Sequence, residues 1–315
     1  MHKLSFVIPC YRSEDTIDAV VTEIRDAMIA NNYDYEVILV NDCSPDNVWG
    51  HISDLCKSYY HIKGINLTKN FGQHAALMAG YNICTGDYVI TIDDDGQTPV
   101  SQVFILLNKI NEGFDVVYGR YEDRKDNVFR KFGTLMNNFM LTTLLGKPKN
   151  IHLTSYFIAR KYIIEKICEY RSAFPYLWGL ILRTTRNIGN VTIEHKVRSK
   201  GVSGYTFLKL LSLWMNGFTA FSVKPLRIST FIGIFFSFIG FLGMIYTVIH
   251  KITYPNIQAG YSSIMSVLLA IGGLVLFSLG LIGEYVGRIY MCISATPQFV
   301  IKEILNGENK NSDHE

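Results

Sequence analysis

The chain has 315 residues, 49% of them hydrophobic, and a formal net charge of +3. That length holds one large domain or two small ones, and so small a charge, without a basic run interleaved with aromatics, argues against a nucleic-acid partner. Six scattered cysteines (Cys10, Cys43, Cys56, Cys84, Cys168 and Cys292) lack CxxC or Cys/His spacing, which excludes a zinc module and reads as reduced, inert thiols in a cytosolic portion. The N-terminus runs directly into an apolar strand with no signal-peptide region, so the first domain is expected to stay in the cytosol.

In chain order, residues 4–9 read as a buried strand and residues 14–30 as a helix. A second strand is predicted over 36–41, a helix over 47–60, a third strand over 62–67 and a helix over 73–84. Residues 88–93 read as a fourth strand, 100–112 as a helix and 115–119 as a fifth strand. This alternation predicts a doubly wound, mostly parallel α/β sheet, in which ligands sit beyond the C-terminal strand ends. Four of those ends carry polar residues: Tyr11 and Glu14, then Asp42, then Lys69 and Asn70, then Asp93, Asp94 and Asp95.

Beyond residue 203 the composition changes. Residues 204–222 are apolar and aromatic with one charge, Lys209, which predicts a helix lying at a membrane interface. Residues 228–249 and 264–283 carry no charge, and each would span roughly 30 Å as a helix, about the hydrocarbon thickness of a bilayer. Lys209, Lys224 and Arg227 before the first stretch, with Arg288 and Lys302 after the second, place both ends in the cytosol by the positive-inside bias. Gly233, Gly240, Gly243, Gly272 and Gly273 suggest close helix packing. Residues 306–315 read as a polar, disordered tail.

The run Tyr88-Val89-Ile90-Thr91-Ile92-Asp93-Asp94-Asp95 carries the chemistry. On a strand, residues i and i+2 point to the same side, so Asp93 and Asp95 face one way and Asp94 the other. Two carboxylates on one side repel unless a cation sits between them, and Mg²⁺ or Mn²⁺ bridging to a diphosphate suits oxygen ligands. Acids also favour turns and helix caps, so the run alone is only moderately specific.

With Phe6-Val7-Ile8-Pro9-Cys10-Tyr11 and Glu14, Val40-Asn41-Asp42-Cys43-Ser44, Lys69-Asn70-Phe71-Gly72 and Asp93-Asp94-Asp95-Gly96-Gln97-Thr98-Pro99, the chain resembles the inverting family 2 glycosyltransferases of GT-A fold. It is most similar to the membrane-anchored polyprenyl-phosphate (bactoprenol) glycosyltransferases and their dolichyl-phosphate mannose synthase relatives. Two later motifs support that subgroup: Arg198 with Gly201-Val202-Ser203-Gly204-Tyr205, and Gly283-Glu284-Tyr285-Val286-Gly287-Arg288-Ile289-Tyr290 with Pro297 beyond.

The resemblance implies a GT-A domain over 1–203, an interfacial helix over 204–226, a two-helix transmembrane anchor over 227–290 and a cytosolic tail over 291–315. It implies that Pro9, Tyr11, Glu14 and Asp42 contact the nucleotide, with Asp94 on the same side. Asp93 and Asp95 would be catalytic residues holding the Mg²⁺ or Mn²⁺, with Gln97 beside it. Asn70, Gln97, Arg120, Arg124, Arg130, Arg198, Ser203 and Tyr205 would serve the acceptor phosphate or the sugar; a guanidinium can grip phosphate oxygens in pairs.

One position departs from the pattern. Relatives often read Gly-Asp-Phe-Arg where this chain has Thr154-Ser155-Tyr156-Phe157, which puts Ser155 in place of an acid. A phosphate acceptor, with a second pKa of about 6, needs alignment more than deprotonation. Ser155 therefore reads as a hydrogen-bond donor or sugar-specificity position in the catalytic set.

The implied activity is transfer of one sugar from a nucleotide diphosphate sugar, UDP-linked by preference, to polyprenyl (undecaprenyl) phosphate with inversion. A hexosyltransferase-type enzyme of the bacterial inner membrane is expected, multi-pass, serving cell-envelope glycan or lipopolysaccharide modification, and able to form a homo-oligomer. The alternatives are a processive membrane polysaccharide synthase and a non-catalytic nucleotide-sugar-binding scaffold. The synthase would need a Gln/Arg-x-x-Arg-Trp segment and further spans, and the sequence has neither.

Overall fold

The structure is a computed structural model, and it describes residues 2–121, 142, 146–148, 150–173, 175–194, 224–253, 260–294 and 296–307. Two compact units divide it: residues 1–210 with 295–315, and residues 211–294.

The first unit is built on an eight-stranded sheet in the order β7-β5-β6-β4-β1-β2-β3-β8. The strands are β1 (Leu4–Cys10), β2 (Tyr35–Asn41), β3 (Ile62–Leu67), β4 (Tyr88–Thr91), β5 (Val116–Tyr121), β6 (Phe157–Arg160), β7 (Ile188–Ile193) and β8 (Ile301–Leu305). β1 pairs in parallel with β2 and β4, β2 with β3, and β5 with β7; only β6 and β8 run the other way. Every residue of β1 is buried, as a central parallel strand covered on both faces requires.

Helices fill the two faces. α1 (Ile17–Ala30) buries Ile17, Val20, Val21, Ile24 and Met28, one stripe at helical spacing. α2 is Val48–Ser58, α3 is Gln73–Tyr81 and α4 is Val103–Asn111. α3 is buried all round from Ala75 onward, and a Cβ on Gly80 would come within 2.4 Å of Val7 Cγ1. Only glycine lets α3 press so closely on β1.

At the sheet edge away from the acidic turn, the buried Glu36 accepts hydrogen bonds from Ser5 Oγ (2.6 Å) and Thr85 N–H (2.5 Å). Lys63 Nζ lies 2.8 Å from its other oxygen. Burial works to raise the Glu36 pKa, but the bonds from Lys63, Ser5 and Thr85 outweigh it and hold the group down at about 2.

The doubly wound α/β class predicted from the pattern is the architecture observed, with two kinds of difference. β4 ends at Thr91, so Asp93 to Asp95 lie in a turn and the alternating-face rule for strands does not reach them. Three strands were not anticipated. β6 has four residues, too short to display a period, and β7 (IGNVTI) is interrupted by Gly and Asn. β8 lies inside the stretch read as a tail, yet it pairs antiparallel with β3. Asn306, just after β8 and at φ 55°, donates through Nδ2 to the carbonyls of Cys56 (2.5 Å) and Ile62 (3.0 Å).

The second unit contains two long helices, Lys224–Thr253 of 30 residues and Tyr261–Ile293 of 33 residues, about 45 and 50 Å at 1.5 Å per residue. Both stretches expected to span a membrane fall inside them. Counted over the described residues alone, no helix is long and apolar enough to cross a membrane; side chains at several positions of both helices lie outside the described set. Large apolar side chains that are described stand exposed, Phe231, Phe235, Leu276 and Phe277 among them. Ser229 Oγ and Ser278 Oγ meet at 2.8 Å. A Cβ on Gly233, Gly243, Gly272 or Gly273 would meet no described atom within 4 Å; Gly240, like several positions of both helices, has surroundings outside the described set, so the packing expected at these glycines falls largely outside it. The expected interfacial helix likewise falls outside them over residues 204–223.

Candidate active site

The site forms where the loops after β1, β2, β3 and β4 meet at one sheet edge. β6 enters that edge from the opposite direction, so the residues before it arrive there too. The β4–β6 register ends at Thr91 opposite Phe157. Continuing it by two residues brings Asp93 opposite Ser155.

Asp93 and Asp94 are each held by another segment. Asp93 Oδ1 accepts from Gln73 Nε2 at 2.9 Å, and Asp93 Oδ2 accepts a short hydrogen bond from Ser155 Oγ. Asp94 turns back to the β1 loop, where its Oδ2 accepts the Tyr11 N–H at 3.0 Å. Asp95 Oδ1 accepts the N–H of Gln97 at 3.1 Å, within its own turn. Gly96, at φ 66°, closes that turn in a conformation L side chains rarely adopt. Burial, with the charges of Asp93 and Asp95 beside it, lifts the Asp94 carboxyl to about 6 against the pull of the nearby Ser13 hydroxyl and the hydrogen bond from the Tyr11 N–H.

On the β1 and β2 loops the expected nucleotide residues are already engaged. Pro9 is buried within β1. Tyr11 is 43% exposed, with the Arg12 guanidinium 5.6 Å from its ring centre. The Glu14 N–H donates to Asp46 Oδ2 (3.0 Å), while Glu14 Oε2 accepts the Asn47 N–H (2.8 Å), a reciprocal clasp between the two loops. Asp42, only 3% exposed, accepts the N–H groups of Phe71 (2.7 Å) and Gly72 (2.9 Å) on its two oxygens. Burial raises its pKa, and those two bonds oppose the rise.

Among the described residues, no three or more His, Cys, Asp or Glu cluster to hold a metal by themselves. A site shared with a diphosphate asks less, since Mg²⁺ is usually bound through one or two carboxylates plus substrate phosphates. The all-oxygen set that Asp93 and Asp95 offer at this turn fits a hard divalent cation. An open hollow lined by Asp18, Thr22, Glu23, Asp26 and Ser101 on the outer side of α1 contains none of these residues.

Residues 5–168 match the family described as glycosyl transferase family 2, and residues 224–289 match the GtrB C-terminal hairpin. The chain belongs to glycosyl transferase family 2. This glycosyltransferase is 32% identical, over 100% of its length and 98% of the relative's, to the undecaprenyl-phosphate 4-deoxy-4-formamido-L-arabinose transferase of Proteus mirabilis (strain HI4320). Its fold is similar to that of glucosyl-3-phosphoglycerate synthase from Mycobacterium tuberculosis, crystallised with Mn²⁺, uridine diphosphate and phosphoglyceric acid. That match has a TM-score of 0.52 at 17% identity and covers 69% of this chain and 76% of that one. Mannosyl-3-phosphoglycerate synthase from Rubrobacter xylanophilus gives a TM-score of 0.52 at 18% identity, covering 72% of this chain and 74% of that one.

On the acceptor side of the glycosyltransferase, Asn70 is exposed in the loop after β3, and Arg120 is exposed near the end of β5. Gln97 sits in the acidic turn. Arg124, Arg130, Arg198, Ser203 and Tyr205 lie outside the described residues. His74, read from sequence as a helix-start residue, packs its ring against Tyr176 and Trp178 at 5.7 and 5.6 Å, and its Nδ1 is buried without a hydrogen-bond partner. Burial pushes its pKa down to about 4. Trp178 Nε1 donates to the Thr154 carbonyl at 3.3 Å, next to Ser155.

Sequence reasoning passed over Gln73, which it placed only as the start of a helix. Its position directly after Gly72, at a strand-to-helix loop of an α/β sheet, was the available signal.

Proposed function

We propose that this glycosyltransferase moves a single sugar from a nucleotide diphosphate sugar, UDP-linked by preference, to polyprenyl phosphate, undecaprenyl phosphate in a bacterial membrane. The observation that carries the reading is the end-to-end similarity to a relative named for undecaprenyl phosphate. The acidic turn supports it by standing at the same edge as the loops of Tyr11 and Asp42.

The acceptor is an anion already largely deprotonated near neutral pH, so its oxygen attacks the anomeric carbon without a protein base. A new C–O bond to phosphate forms as the bond to the nucleoside diphosphate breaks, and a single displacement inverts the anomeric centre. Asp93 and Asp95 would hold the Mg²⁺ or Mn²⁺, which would supply charge neutralisation for the departing diphosphate. Tyr11 offers an exposed ring on the nucleotide side. Asn70, Gln97 and Arg120 stand available to the sugar or the acceptor phosphate, with Arg124, Arg130, Arg198, Ser203 and Tyr205 assigned there by resemblance.

The domain assignment is part of the proposal: a catalytic portion over 1–203, an interfacial helix over 204–226, two spans within 227–290 and a cytosolic segment over 291–315. The long helices expose large apolar side chains that water would not tolerate on such a scale, and lipid would cover them. Lys224 and Arg227 before the apolar stretches and Arg288 after them ask, by the positive-inside bias, for both flanks on the cytosolic side. Two spans with both termini cytosolic, in the bacterial inner membrane, satisfy this.

The test offers a panel of nucleotide sugars with undecaprenyl phosphate to the full chain and reads the lipid products by mass. One sugar adduct on the lipid phosphate, lost in Asp93→Asn protein of unchanged melting temperature, is the expected result. Full activity in Asp93→Asn refutes the metal assignment, and polymer products in place of a single adduct would favour a processive synthase.

A further inference from the structure

The Asp93 carboxylate has a donor on each oxygen, and the two donors come from different elements. Gln73 is the first residue of α3 and reaches Oδ1 at 2.9 Å; Ser155, on the approach to β6, reaches Oδ2. Both donors are themselves fixed. α3 is seated against β1 through Gly80, and the loop entering it is tied to Asp42 through the Phe71 and Gly72 N–H groups. Ser155 lies between Thr154, whose Oγ1 donates to the Gly119 carbonyl at 2.8 Å, and the fully buried Tyr156.

We propose that Gln73 and Ser155 are positioning residues that set the Asp93 carboxylate for a divalent cation and its diphosphate. A carboxylate oxygen offers about two lone-pair sites, so it can accept one hydrogen bond and still ligate a cation. The two donors also choose one rotamer for a side chain in a turn, where no strand ladder fixes it. An acid at 155, as relatives often carry, would put a second carboxylate against Asp93; the hydroxyl instead donates. Ser155 is therefore a support for the metal-side acid in this chain, with no role as a base. The inference rests on the proposed metal role of Asp93.

The experiment uses the full chain in detergent, with UDP as probe, and measures Mn²⁺ binding by the electron paramagnetic resonance of the free ion. Thermal melting of each variant serves as the fold check. Removing an outer partner of a metal-binding carboxylate typically weakens metal affinity by about 10–100-fold. Ser155→Ala and Gln73→Ala are each expected to weaken Mn²⁺ binding on that scale, while Ser155→Thr, which keeps the hydroxyl, stays within about 3-fold of the unaltered protein. Gln73 is exposed, so its alanine variant loses no packing and keeps the test open if Ser155→Ala melts early. Loss of binding in Asp93→Asn but not in Ser155→Ala or Gln73→Ala overturns the positioning role and leaves the metal role standing. Asp93→Asn that binds Mn²⁺ like the unaltered protein overturns both.

Discussion

Gly72 donates its backbone N–H to Asp42 Oδ2 at 2.9 Å across thirty positions of sequence. With the Phe71 N–H on the other oxygen, a buried acid at the end of β2 is spent on shaping the loop after β3. That loop delivers Gln73 to Asp93, so the β2 and β4 ends are linked through α3.

Asp42→Asn is expected to disturb this link, because an amide must point its NH₂ at one of two backbone donors. Leaving a buried donor unmatched costs about 1–3 kcal/mol. Chemical denaturation of the full chain reads the stability, and calorimetric UDP binding reads the loop. Unchanged values for both would show that Asp42 does not organise it.

Glu36 and His74 contribute to the acid response in separate windows. Glu36, held at about 2, contributes stability that is complete above its ordinary value of about 4.3 and is lost as pH falls toward 2. His74 behaves differently. The unfolded chain takes up its proton below about 6.5, whereas the folded chain waits until about 4, so stability declines across that interval. Unfolding free energy followed against pH should lose the lower window in Glu36→Gln and the upper one in His74→Phe. Glu36→Gln should also lower stability at neutral pH by about 3 kcal/mol, since it leaves Lys63 without its charge partner.

Asn306 joins the returning C-terminal segment to the rest of the sheet. Its left-handed φ of 55° suits asparagine, and its side chain satisfies carbonyls at the end of α2 and the start of β3. Asn306→Ala should cost about 2 kcal/mol from backbone strain and lost hydrogen bonds together, and Asn306→Gly about half of that, because glycine relieves only the strain. Equal melting temperatures for the two variants would argue that the backbone strain contributes nothing, and an Asn306→Gly variant as stable as the unaltered protein would argue the same of the bonds.

Gly96→Ala separates backbone strain from crowding. A Cβ there would meet only Val20 Cγ2, at 3.7 Å, so there is room for it, yet φ is 66°. A stability loss of about 1 kcal/mol is expected. Activity should fall further than that loss explains, because the strain is released by moving Asp95. Comparison of melting temperature with turnover checks it, and retained turnover would separate the turn's shape from its function.

Much of this protein was legible from local pattern. Leu4 to Cys10 reads as a buried central strand because it has apolar residues on both faces, and α1 carries a stripe at helical period. β6 and β7 were not legible, since four residues or a Gly-interrupted run carry no usable period. β8 was missed because it follows an apolar helix and is short, and an edge strand shows itself only once its partner's free edge is known.

Sequence alone determined the α/β class, the run of acids at the end of the fourth strand and the existence of two long apolar helices, because each is encoded by neighbours within a few residues. Tertiary structure decided that Ser155 grips Asp93 from 62 positions away, that Asp42 faces a loop, and that the end of the chain rejoins the sheet. Those contacts depend on strand order and register, which are chosen by how the whole core packs.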